Sequence, residues 1–226
     1  MADKPKLDRQ AMCDRLAMEF QDEWIVNLGV GMPTLCSNYV DPNKNIIFHS
    51  ENGVIGHGPL AAKGQEDRHL INASSQHVTV RPGMAIVHHA DSFALIRSGM
   101  VDVTVMGAYE VAESGDFANW RIPSRKGGGI GGAMDLAACA KRVFIAMEHV
   151  TREAEPRLLK RCTLPITAPG VVKLVATDLG LFSVTPQGFK LLEYAPGWSP
   201  EDIQELTEAK LAIADDLREF RLRDGG

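Results

Sequence analysis

Ile46-Ile47-Phe48-His49-Ser50-Glu51-Asn52-Gly53 is an apolar run that stops at a small polar residue, an acid and a glycine. The pattern predicts a buried strand over 45–49 with Glu51 just past its C-terminal end. In open α/β sheets the carboxyl ends of the strands form the ligand-binding edge. A carboxylate at this point leaves the core where a site is built. Val54-Ile55-Gly56-His57-Gly58-Pro59 follows, and its glycines let backbone come close to a ligand.

On the N-terminal side, Met12, Leu16 and Phe20 recur every four residues, with Cys13 and Ala17 widening the stripe. This predicts an amphipathic helix over 8–23. Trp24 to Leu28 reads as a short strand that breaks at Gly29-Val30-Gly31-Met32-Pro33-Thr34. Pro33 suits the first turn of a helix, which is expected to end near Val40, before Asp41-Pro42. The turn either cradles an anion or serves as a tight strand–helix connection; it lacks the third glycine of a dinucleotide fingerprint.

On the C-terminal side, residues 60–70 are polar and irregular, and 84–88 reads as a strand. A helix opens at Asp91-Ser92-Phe93, either of whose first two residues suits a cap. Val101 to Met106 is β-branched and reads as a central strand. Residues 110–132 are loop-rich and end in Gly127-Gly128-Gly129-Ile130-Gly131-Gly132. A short helix over 133–140 and a buried strand over 142–147 follow. Three more strands are expected at 171–176, 181–184 and 189–194, the last two forming a hairpin at Gly188. Ser199-Pro200-Glu201-Asp202 starts a final helix, with Ile203, Leu206, Ile213, Leu217 and Phe220 continuing its stripe to near 222. Strands alternating with helices imply an α/β fold with an open, largely parallel sheet flanked by helices. A C-terminal hairpin and helix complete it, and residues 1–226 are expected to form one domain.

Composition narrows the function classes. The net charge of −5 gives no electrostatic footprint for nucleic acid. No apolar run approaches the roughly 20 residues that span a bilayer. Cys13, Cys36, Cys139 and Cys162 are widely spaced, which suggests neither a disulfide framework nor a zinc site. His88 and His89 are adjacent on an expected strand, so they point to opposite faces and do not share a metal. With no apolar leader at the N-terminus, a cytoplasmic protein without a bound metal is expected.

A carboxylate such as Glu51 attacks an activated acyl group, for example a thioester, and forms a covalent acyl intermediate. Backbone N–H groups then stabilise the oxyanions. Two glycine clusters are placed to supply them: Gly56 and Gly58 beside the acid, and Gly127 to Gly132 before a helix.

Ser50-Glu51-Asn52-Gly53 followed by Gly56-x-Gly58-Pro59 resembles the signature of family I CoA-transferases, and more narrowly their B subunits of the 3-oxoacid type. Further motifs fall in the family's order from about residue 8 to 222: Asn27 to Thr34, Ala90 to Phe93, Gly115 to Trp120, Gly131 to Leu136 and Cys162 to Pro165. The resemblance implies the CoA-transferase and sugar-phosphate-isomerase-like fold. It also implies that Glu51 carries CoA as a glutamyl thioester. Gly131 and Gly132 would line the acyl-oxygen site, Asn52 would orient the acid, and Gly56 and Gly58 would leave room for the thioester arm. Coenzyme A would be bound only as a substrate thioester, with no permanent cofactor, and water would be kept out. A separate A subunit would complete the site. The substrates would be an acyl-CoA, succinyl-CoA first, and a 3-oxoacid.

His57 departs from the apolar residue expected at its position. It either faces the acyl pocket and favours a polar acyl end, or is a packed histidine. Ser124-Arg125-Lys126 is placed to meet a substrate carboxylate, the partner chain or solvent. Alternatives on the same scaffold are 3-oxoadipate CoA-transfer, a CoA-linked hydrolase, and a binding module without catalysis.

Overall fold

The computed structural model describes residues 4–220. In chain order the elements are α1 (Arg9–Met18), β1 (Ile25–Leu28), a 3₁₀ helix (Met32–Asn38), β2 (Ile47–Ser50), β3 (Val54–His57), β4 (Ala85–Ile86) and α2 (His89–Arg97). Then come β5 (Val103–Met106), β6 (Glu110–Ala112), β7 (Phe117–Ala118), α3 (Ala133–Cys139), β8 (Val143–Ala146) and β9 (Leu158–Leu159). The chain continues through β10 (Val172–Thr177), β11 (Gly180–Thr185), β12 (Gly188–Tyr194), α4 (Pro200–Glu205) and β13 (Ala212–Glu219).

Ten strands form one sheet in the order β13-β12-β11-β10-β8-β5-β1-β2-β3-β4. Its centre, β10-β8-β5-β1-β2, is parallel throughout. Val103 to Met106 and Val143 to Ala146 are wholly buried, as expected of strands covered on both faces. Antiparallel strands flank this centre: β3 and β4 on one side, β11 and β12 on the other. A small sheet, β7-β6-β9, takes two of its strands, β6 and β7, from the 110–132 segment read as loop-rich and its third from Leu158–Leu159.

The largely parallel α/β sheet and the C-terminal hairpin agree with the sequence reading, and four local expectations change. Val54 to His57, expected as loop, turns back as β3 against β2. The segment after Gly31 is a 3₁₀ helix and stops at Asn38. Helix α2 begins at His89, because the His88 ring accepts the Ala90 N–H and caps it. The long C-terminal helix is replaced by the six-residue α4 and by β13, which pairs parallel to β12. Gln204 ends α4: its amide donates to the carbonyls of Thr207 and Ala209 and accepts from the Leu211 N–H. Those groups would otherwise continue the helical ladder. Positions 221 and 222 of the expected helix lie outside the described residues.

Helix α1 is buried through Ala11 to Ala17, including Asp14 and Arg15. Arg15 donates from Nε and Nη2 to Glu193 of β12 at 2.8 and 3.0 Å. Arg218 of β13, the cross-strand neighbour of Glu193, donates to the same carboxylate at 2.6 Å. This bidentate arrangement ties the N-terminal helix to the sheet's last strands. Among the described residues, no helix is long and apolar enough to cross a membrane.

Candidate active site

Glu51 stands in the three-residue loop that joins β2 to β3. The Ser50 carbonyl accepts the Gly53 N–H at 2.9 Å and closes a tight turn with Glu51 at its tip. Gly53 has φ of +108°, and a side chain there would run into the Val87 carbonyl. Only glycine fits that turn. The half-buried Glu51 carboxylate points into a cleft of about 1310 Å³. Gly29, Gly107 and Met147, which follow β1, β5 and β8, line the same cleft. The cleft therefore lies over the carboxyl ends of the parallel strands, as the topology predicts.

Gly131 and Gly132 reach this cleft from 80 residues away in sequence. Gly132 begins α3 and is buried against Glu51, leaving no space for a β-carbon between its backbone and Glu51 Oε2. Ala133 gives its N–H to the Ile130 carbonyl, whereas among the described residues no acceptor takes the N–H of Gly131 or Gly132. Phe93 of α2 closes the other side of Gly132, and the His89 ring packs on Phe93 in a tilted arrangement, 4.7 Å between centroids. Burial pushes the Glu51 carboxyl above its ordinary value; exposed His89 pulls it down and Asp135 pushes it up again.

Of the remaining residues expected near the site, Arg125 lines the cleft, and Asn52, Gly56, His57 and Gly58 do not. Asn52 is exposed and donates its amide to the Ile71 carbonyl at 2.8 Å, which fastens the 60–80 loop. Gly56, His57 and Gly58 do not line the cleft. The reason is the antiparallel return of β3: His57 pairs with Phe48, three residues back along β2 and roughly 10 Å from Glu51. His57 is buried, stacks on Phe48 and bonds the Gly58 carbonyl through Nδ1. Burial lowers its pKa, its hydrogen bond to Gly58 opposing and Arg81 reinforcing that shift. Gly56 packs on Met84, and Gly58 is pressed against Thr79. Arg125 lines the cleft with Glu51. His88 caps α2 and His89 faces Phe93.

The sequence reading missed a polar row beneath Glu51. Thr104 of β5, Asn27 of β1 and His49 of β2 are in register on adjacent strands and fully or almost fully buried. Thr104 Oγ1 donates to Asn27 Oδ1 at 3.1 Å, and Asn27 Nδ2 lies 3.0 Å from His49 Nδ1. His49 Nε2 lies 2.9 Å from Ser92 Oγ of α2. The available signal was a polar residue within each of three otherwise apolar strands, Asn27 in Ile-Val-Asn-Leu, His49 in Ile-Phe-His-Ser and Thr104 in Val-Thr-Val-Met.

A largely parallel sheet thus carries a half-buried carboxylate at a strand end, packed against the glycine that begins α3. The chain belongs to the coenzyme A transferase family, whose profile matches residues 9–206. It is 44% identical over 212 residues to the B subunit of the 3-oxoadipate CoA-transferase of Pseudomonas putida, covering 91% of this chain and 97% of that one. It is 42% identical over 212 residues to the mitochondrial succinyl-CoA:3-ketoacid coenzyme A transferase 2B of Mus musculus, covering 93% of this chain and 41% of that one. Its fold is similar to the apoenzyme of an acyl-CoA transferase from Escherichia coli O157:H7, with a TM-score of 0.75 at 18% identity. That match covers 98% of this chain and 44% of the other, so the chain spans less than half of that enzyme.

Proposed function

We propose that this chain is the B subunit of a two-subunit transferase that moves CoA from an acyl-CoA, succinyl-CoA first, to a 3-oxoacid. The observation that carries the proposal is the packing of Gly132 on the Glu51 carboxylate within the strand-end cleft.

Glu51, as the carboxylate, attacks the thioester carbonyl; the C–S bond breaks and CoA leaves as thiolate, giving a mixed anhydride. The thiolate attacks the Glu51 carbonyl carbon, and the first acid departs as its carboxylate. Glu51 then holds CoA as a thioester. The acceptor's carboxylate attacks that thioester and forms the second anhydride. Returning thiolate takes the acceptor's acyl group, and the Glu51 carboxylate is regenerated. No ATP is consumed, because the acyl activation is passed on at each step. The N–H groups of Gly131 and Gly132, which no acceptor takes among the described residues, are proposed to receive the oxyanions that form at the Glu51 carbon. Burial makes Glu51 less solvated than a surface carboxylate, which raises its reactivity toward a thioester carbonyl.

The site is open to solvent on one side, and a partner A subunit is proposed to cover it and to supply contacts to CoA. The names of the relatives and the partial coverage of two longer enzymes support that assembly. The name of the Pseudomonas relative favours 3-oxoadipate as an acceptor alongside acetoacetate. A cytoplasmic location is part of the same proposal.

The test is co-expression with the A subunit followed by incubation with succinyl-CoA and borohydride or hydroxylamine. Modification at Glu51, absent in Glu51→Ala and Glu51→Gln, is the expected result. Transfer that survives in Glu51→Ala overturns the mechanism. Comparing acetoacetate, 3-oxoadipate, acetate and butyrate as acceptors then fixes the substrate.

A further inference from the structure

The geometry points to Thr104, Asn27, His49 and Ser92 as a directed hydrogen-bond relay that holds the Ser50 carbonyl, and with it the turn that aims Glu51; His49 and Ser92 are positioning residues. The inference rests on Glu51 being the acyl acceptor.

The direction of every bond follows from one contact. Asn27 Nδ2 lies 3.2 Å from the main-chain carbonyl of His49, which only accepts. This end of the amide must therefore be the NH2 group. Its second hydrogen goes to His49 Nδ1, so Nδ1 accepts and carries no proton. The other end of the amide, Oδ1, is correctly oriented to accept from Thr104 Oγ1. The imidazole proton then resides on Nε2, which donates to Ser92 Oγ. With that lone pair used, the Ser92 hydroxyl proton is free to reach the Ser50 carbonyl at 3.4 Å. Ser50 O is the same atom that closes the turn with the Gly53 N–H. The Ser50 hydroxyl also accepts the Ala73 N–H at 2.8 Å, which fastens the residue on its other side.

Two features argue against a filler role. Four buried polar side chains, three on adjacent central strands and Ser92 on α2, are costly unless each is satisfied. Here all four are, and the row ends at the peptide unit joining Ser50 to Glu51 rather than at solvent. Burial holds His49 down to about 4, so the ring is neutral at physiological pH. A protonated Nδ1 would face the Asn27 NH2 group and break the relay.

The relay fixes the peptide before Glu51 from the sheet side, while Gly132 confines the carboxylate from the cleft side. Displacement of a reacting group by about 1 Å can cost on the order of 100-fold in rate. Losing the relay is therefore expected to slow Glu51 acylation with little effect on acyl-CoA binding.

The experiment uses the enzyme assembled with its A subunit and measures single-turnover CoA loading of Glu51, KM for acyl-CoA and thermal melting. Ser92→Ala is expected to lower the loading rate about 10- to 100-fold with KM within about twofold of the parent. His49→Gln, which keeps a donor at the Nε2 position, is expected to load faster than His49→Asn, which keeps only the acceptor toward Asn27. Wild-type loading in Ser92→Ala overturns the inference. If Ser92→Ala does not fold, equal loading by the two His49 variants overturns it. So does a rate loss that only tracks the loss of folded protein. Glu51→Ala is run in parallel. Its retained activity would refute the parent mechanism, whereas an inactive Glu51→Ala beside a fully active Ser92→Ala refutes the relay alone.

Discussion

The Gly132 backbone packs directly on the Glu51 carboxylate: a β-carbon there would overlap Oε2 and sit 2.9 Å from Phe93 Cζ. Phe93 is packed against the core and the Glu51 backbone is held in the turn that Gly53 closes, so the Glu51 carboxylate, at the end of a flexible side chain, is the group that gives way. Gly132→Ala is expected to swing the carboxylate out of line and reduce transfer by on the order of 100-fold. Gly131→Ala is the matched control. It meets no atom within 4 Å and bears only the left-handed backbone at φ of +51°, a cost of about 1–2 kcal/mol. A transfer assay with both purified variants checks the contrast; equal losses would show that Gly132 matters only as a flexible residue.

The pH dependence of the first half-reaction should carry the mark of Glu51. Its carboxyl is raised above 4.5, with burial as the main cause. Since the nucleophile is the carboxylate, kcat/KM falls as pH drops through this raised value, earlier than for an exposed glutamate. The same shift has a stability consequence with the opposite sign to a salt bridge. The folded state binds the proton more tightly than the unfolded chain, so ionised Glu51 destabilises the fold above its folded pKa. That penalty disappears as pH falls below 4.5. Glu51→Gln should therefore melt higher than the parent at pH 7, and the two should converge in acid. Melting curves across that range test it.

Glu193 anchors α1 and β13 to one carboxylate. Burial pulls its pKa up, but the hydrogen bonds and charges of Arg15 and Arg218 outweigh that and hold it below 4.5. The resulting stability is present above the ordinary value and is lost as pH falls through the lowered one. Glu193→Ala strands the buried Arg15 guanidinium, leaving Glu19 as its one carboxylate partner among the described residues. A loss of about 3–5 kcal/mol is expected in urea titration at neutral pH. Arg218→Ala, at the exposed end of the same network, should cost much less.

His57 is buried at the far end of β3 and stacked on Phe48. His57→Leu is expected to leave the ranking of acceptor acids unchanged and to cost about 1–2 kcal/mol of stability, from the lost bond to Gly58 and imperfect packing. An acceptor screen with the variant decides it; a change of preferred acid would return His57 to the substrate pocket.

What was legible in the sequence was local and periodic. The β-branched runs at 103–106 and 143–146 declare strands because both faces are buried, and their alternation with helices declares a parallel sheet. Glu51 could be placed at a strand's carboxyl end because the apolar run stops just before it. Family motifs in order added the expected chemistry. The C-terminal stripe misled, since Ile213 and Leu217 fit a helix as well as a strand when Gln204 is not seen to terminate α4.

Only the tertiary structure decided which glycines meet the acid. Gly56 and Gly58 are close in sequence, yet β3 carries them away along the sheet; Gly132 is 81 residues distant, yet α3 delivers it to the carboxylate. The same holds for the row from Thr104 to Ser92, whose members come from three strands and a helix. Strand register and helix packing set those distances, and both depend on contacts between segments that periodicity within one segment does not encode.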